Sequence, residues 1–130
     1  MPELSVGEES YVGSVELPTL GLELPVASGP RDGHVDLACR ISGSVYEGDL
    51  VLAGNDHRAA FGGLGLLRPG DAAYVSDTLG HRFAFVVEAV GASASDRAGA
   101  ALTLLTQTDA GEPLVVTCVA AAEHSGDFAY

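Results

Sequence analysis

In the stretch Leu20-Gly21-Leu22-Glu23-Leu24-Pro25-Val26 every even position is aliphatic and every odd one is not. Side chains that alternate with period two belong to a half-buried strand, and the proline places it where a missing N–H is tolerated. Residues 11–17 alternate more loosely and are expected to pair nearby. Leu50-Val51-Leu52-Ala53 is a short buried run ended by Gly54. Across residues 82–90, Phe83, Phe85, Val87 and Ala89 alternate with Arg82, Ala84 and Glu88. Asp77-Thr78-Leu79-Gly80 supplies the hairpin turn that joins this strand to residues 72–76. Residues 101–106 and 114–120 flank a turn around Asp109-Ala110-Gly111. Helical signal is weak, with one short, glycine-weakened turn over residues 61–67 and another over 96–100. Seven or eight short strands in a chain of 130 residues predict one all-β domain, a closed antiparallel barrel or a sandwich.

Composition narrows the chemistry. Apolar residues make up 47% of the chain, enough for a core, and six basic against eighteen acidic residues leave a net charge of −12. No nucleic-acid partner is expected, because phosphate binding needs clustered positive charge. All six basic residues are arginines. Without lysine there is no Schiff base, no phosphate-loop lysine and no lysine isopeptide cross-link. No apolar stretch approaches the roughly 20 residues that cross a bilayer, so no membrane segment is expected. Met1-Pro2-Glu3-Leu4-Ser5 lacks the basic and apolar regions of a secretion signal. The sequence reads as a soluble chain, and work outside a cell would require an export segment that has been lost or cut away.

Few motifs carry chemistry on their own. Phe61-Gly62-Gly63-Leu64-Gly65 has neither the lysine nor the strand–helix setting of a phosphate loop, and a flexible connection is the better reading. His34, His57, His81 and His124 show no metal-ligand spacing; scattered surface histidines are expected, with no metal and no cofactor. Cys118 is the only thiol on the terminal hairpin. With the turn centred on Ala110, Gln107 falls opposite Pro113, and Cys118 lies five residues further along, about 16 Å away at roughly 3.3 Å per residue. Five is odd, so Cys118 takes the face of Leu114 and Val116, the setting of a buried structural thiol. Asn55-Asp56-His57-Arg58 is the most polar cluster after a buried strand; such a tetrad lines a cleft as often as it merely opens a loop.

Taken in order, these segments resemble a sortase domain, the cell-surface cysteine transpeptidase of Gram-positive bacteria, over about residues 11–118. Gly13-Ser14-Val15-Glu16-Leu17-Pro18 is similar to the Gly-x-Leu-x-Ile-Pro strand of a class-B-like group, and residues 20–26 match its next strand. Cys39-Arg40-Ile41-Ser42-Gly43-Ser44 is similar to Cys-Arg-Tyr-Ser-Gly-Ser. Leu50-Val51-Leu52-Ala53-Gly54, with Arg58 and Phe61-Gly62 after it, resembles the Val-Ile-Ala-Gly-His-Asn-Tyr-Arg-x-x-Phe-Gly strand end. Gly70-Asp71 matches a Gly-Asp of the family, and Leu102-Thr103-Leu104-Leu105-Thr106 resembles the Leu-Thr-Leu-Phe-Thr that precedes its cysteine.

Sortases use a cysteine that forms a thioester with a sorting-motif peptide, a histidine that handles the leaving-group proton and an arginine beside the oxyanion. The resemblance puts Asn55 at the histidine position, Gln107 at the cysteine position and, allowing one deletion in the turn, Pro113 at the arginine position. A carboxamide is not a nucleophile at neutral pH, asparagine exchanges no proton there, and proline offers neither charge nor donor. The implied fold is a closed antiparallel sortase-type β-barrel over residues 11–120 with one or two short helical turns. An N-terminal extension, 1–10, precedes it and a tail, 121–130, follows. The implied function is a barrel without transpeptidase activity that binds a peptide tail or a cell-surface protein, or serves as a scaffold, outside the cell or at its surface. Asp56, His57, Arg58, Thr106 and Thr108 are the candidate groove-lining residues. The alternatives are a relocated cysteine transpeptidase or peptidase using Cys118 with His57, or a barrel repurposed to bind or transform a small molecule. The resembling group also implies a disulfide between Cys39 and Cys118 in an oxidising compartment, against the reading of two buried free thiols.

Overall fold

A computed structural model describes residues 2–6, 9–29, 37–54, 61–91, 100–107 and 113–121. They form nine strands: β1 (Leu4–Val6), β2 (Glu9–Leu17), β3 (Leu22–Ala27), β4 (Ala38–Ser42), β5 (Leu50–Gly54), β6 (Ala72–Asp77), β7 (Arg82–Gly91), β8 (Leu102–Gln107) and β9 (Pro113–Ala120). The sheet runs β1-β2-β3-β4-β5-β8-β9-β7-β6, and a further pairing of β2 with β6 closes it. The closed ring therefore holds eight strands, with β1 added to the start of β2.

The all-β barrel expected from the sequence is present, with one correction to its pairing. The barrel is mixed. β3 pairs parallel to β4 (Val26 with Ala38, Ala27 with Cys39), and β5 pairs parallel to β8 (Leu50 with Leu102 through Ala53 with Leu105). Parallel neighbours need long crossover connections, and turn signals in a sequence reveal only the antiparallel hairpins. β4 and β1 carry no alternation strong enough to be read in advance; each exists because a neighbour offers it a hydrogen-bonding edge.

Other expectations hold in part. β3 buries Leu24 and Val26 and exposes Glu23 and Pro25. It starts at Leu22 rather than Leu20, because Pro18 opens a 3-10 turn that Gly21 ends in a left-handed conformation. The loose alternation of residues 11–17 comes from a register shift between Tyr11 and Gly13, which lets both Val12 and Val15 face the core. The short turn expected over 61–67 is a 3-10 turn at Leu64–Leu66, whereas the one expected over 96–100 lies outside the described residues. Among the described residues no helix is long and apolar enough to cross a membrane.

Inward-facing aliphatics from every ring strand make one core, capped by Phe61, Leu64 and Leu67. The closing seam is narrow at Gly13, where φ is 154° and a Cβ would stand 1.8 Å from the Ser76 carbonyl oxygen. No side chain fits there without parting β2 from β6. Gly13→Ala should therefore cost about 2 kcal/mol or more in denaturant unfolding, while Ser76→Ala, which leaves that carbonyl in place, should stay within about 0.5 kcal/mol. Equal effects of the two substitutions would contradict a tight seam.

Candidate functional site

Parallel pairing of β5 with β8, and the antiparallel return of β9, bring three strand ends to one pole of the barrel: Gly54, Gln107 and Pro113. Gln107 stands opposite Pro113 in the register, as the turn centred on Ala110 requires. Thr106 is buried, and its hydroxyl donates to the Gly54 carbonyl across 2.9 Å, tying the ends of β5 and β8 together. Phe61, fully buried, packs so closely under Gly54 that a Cβ there would come within 2.5 Å of its ring. The last residue before Asn55 is thus held from two sides.

Of the residues singled out by sequence, Gln107, Pro113 and Thr106 are brought together at this pole. Asn55, Asp56, His57, Arg58 and Thr108 lie outside the described residues. Pro113 is exposed and opens β9, where a residue without an N–H interrupts no interior ladder.

Cys118 lies away from this pole. It pairs with Leu102, the first residue of β8, and with Val87, and it is fully buried in the core beside Val116. Burial, aided by the negative charge of Glu88, pushes its thiol up to about 12. A thiol at that value is almost wholly protonated near neutral pH, and the thiolate is the nucleophile. Cys39 packs in a separate cluster with Ala27 and Leu37. Strand alternation puts it on the outer face of the wall while Cys118 faces inward, so the two thiols are free. The disulfide implied by the resemblance is corrected by this geometry, since a bridge cannot pass through a packed barrel wall.

A second polar constellation stands at the other pole and was not read from the sequence. The Tyr46 hydroxyl donates to Asp77 Oδ2 over 2.5 Å, and His81 Nδ1 donates to the same oxygen at 2.9 Å. Asp77 Oδ1 accepts the N–H groups of Leu79 (3.0 Å) and His81 (2.8 Å), which shapes the β6–β7 turn. Burial alone would push this carboxyl up, but the bonds from Tyr46, the His81 ring and the two N–H groups outweigh it. They hold it well below the usual carboxylate range. The bond to Asp77, then burial and the nearby negative charge, raises the Tyr46 hydroxyl in turn. Asp77 was legible as a turn residue; its bond to Tyr46, 31 residues away, has no local signal.

No protein-family model matches the sequence, and no curated protein matches it. Solved structures do. Sortase C1 from Streptococcus agalactiae superposes with a TM-score of 0.72 at 20% identity, covering 90% of this chain and 70% of that one. Sortase A from Listeria monocytogenes gives 0.71 at 21% identity, with 85% and 86% covered. Sortase E1 from Streptomyces coelicolor, solved with a tripeptide in its active site, gives 0.67 at 15% identity over 85% and 88%. The fold is of the sortase type. In this sortase-type barrel the pole carrying Gly54, Gln107 and Pro113 is the one to which the motif resemblance directs attention.

The Asp77 cluster makes a prediction about acid stability. A carboxyl held below its unfolded value stabilises the fold at every pH above about 4, and that contribution fades as the pH falls further. Thermal unfolding followed from pH 7 to pH 2 should show wild type losing stability on this acid limb. Asp77→Asn should be less stable at pH 7 and flatter below pH 4. Parallel curves for the two proteins would contradict the role given to Asp77.

Proposed function

We propose that this chain is a sortase-type barrel that has lost transpeptidation chemistry and works as a peptide- or protein-binding module, or as a scaffold, at the cell surface. The register pairing of Gln107 with Pro113 carries this reading. The resemblance sets a thiol at the first position and a guanidinium at the second, and this sequence has neither there. Transpeptidation needs an activated nucleophile and a donor aimed at the developing oxyanion. A carboxamide beside a proline supplies neither. The Thr106 hydroxyl is no substitute, because it spends its proton on the Gly54 carbonyl and stands buried.

Relocated chemistry through Cys118 has the geometry against it, since the thiol faces the core near the opposite pole with its titration pushed up to about 12. The ligand class is carried over from sortase E1, whose active site holds a tripeptide. A groove that keeps its floor while losing its reactive groups binds without turnover.

Restoring the chemistry tests the reading. Asn55→His, Gln107→Cys and Pro113→Arg together should yield a thioester with a sorting-motif peptide, seen by intact mass and released by hydroxylamine, while wild type binds the same peptide with no mass change. A folded triple variant that neither binds nor acylates would overturn the peptide-groove reading. A second measurement concerns Cys118. In the folded protein it should react with iodoacetamide at least about a hundredfold more slowly than in denaturant, and rapid labelling of native protein would contradict its burial.

A further inference from the structure

The ends of β8 and β9 away from Gln107 and Pro113, together with the start of β7, border a cleft of ≈660 Å³. Its walls are Tyr46, Phe83 and Phe85 with the small residues Ala84, Ala101 and Ala120. That volume falls within the roughly 300–1,000 Å³ of small-molecule sites. We propose that this cleft is a binding site for a small organic cation, an ammonium group carried on an apolar body.

The apolar part is met by the two phenylalanines and the alanines. The cation is met by an aromatic corner. Tyr46 is 48% exposed, and its ring meets that of Phe83 edge to face, with centroids 5.7 Å apart and planes 73° apart. The Tyr46 hydroxyl is fixed by its bond to Asp77, so the ring is oriented before any ligand arrives. A phenol whose proton is drawn toward a carboxylate has a more electron-rich face, and such a face attracts cations.

Charge around the cleft favours the same ligand. Among the described residues Arg82 is the only basic one lining it, and Arg82 is already engaged: Nη2 lies 2.7 Å from Glu16 Oε1, and the guanidinium stacks 4.0 Å from the Tyr74 ring centroid. Glu47 is exposed on the rim with no ion pair among the described residues. The net charge of −12 adds a field that concentrates cations and repels anions. An anionic ligand of the same shape would meet Glu47 with no unengaged guanidinium among the described lining residues to balance it.

The probe is phenethylammonium, with phenylacetate as its anionic counterpart, titrated into the full chain and followed by amide NMR. Phenethylammonium should give saturable shifts confined to residues 45–48 and 82–85, and added salt should weaken it; phenylacetate should give none. Glu47→Gln removes a charge from an exposed side chain and should weaken phenethylammonium by about two- to tenfold with the fold intact. Tyr46→Phe keeps the ring, frees it from Asp77 and should weaken binding in the same range. Saturation by phenylacetate at equal affinity, failure of phenethylammonium to saturate in the millimolar range, or unchanged binding in folded Glu47→Gln would each overturn the assignment.

Discussion

One strand holds this barrel shut. β2 meets β3 along its length, β6 over Gly13 to Glu16, and β1 at its beginning. Without the β2–β6 contact the ring would be an open sheet with two long exposed edges, and unpaired edges invite wrong partners. Contact between the strands at Gly13 is close enough to exclude any side chain. Packing then follows from closure, because only a closed wall gives alternate residues of every strand the same interior to share.

Closure also decides what each pole can do. β5 and β8 run the same way, so their final residues finish side by side, and β9 begins there. That arrangement brings the candidate site's residues together from far apart in sequence on a firm base, secured by the Thr106 bond to Gly54 and by Phe61 below. At the far pole the start of β7 and the connection from β4 to β5 deliver aromatic rings and the end of β9 a small residue instead, with Asp77 pinning Tyr46 in place. Architecture is shared between the poles; the side chains set their chemistry.

Much of this was legible in the chain itself. Strict alternation in residues 22–26 fixed the faces of β3, and counting around Ala110 fixed Gln107 opposite Pro113 and turned Cys118 inward. What could not be read depends on contacts between distant segments. The parallel pairings place no turn residue in the sequence, and β4 alternates too weakly to declare itself. The Cys39–Cys118 bridge was inferred from likeness alone, and the two faces of the wall forbid it. Tyr46 carries no motif; only folding brings it to Asp77. Asn55, Asp56, His57, Arg58 and Thr108 fall outside the described residues, so their part in the site still stands on the motif resemblance.

The proposed reading is that a sortase-type barrel stands here without transpeptidation chemistry. Incubating purified wild-type chain with a sorting-motif peptide and an amine acceptor, and counting joined product by mass spectrometry, addresses it most directly. The account predicts no joined product above the protein-free control. Product formed over many turnovers per chain would contradict it.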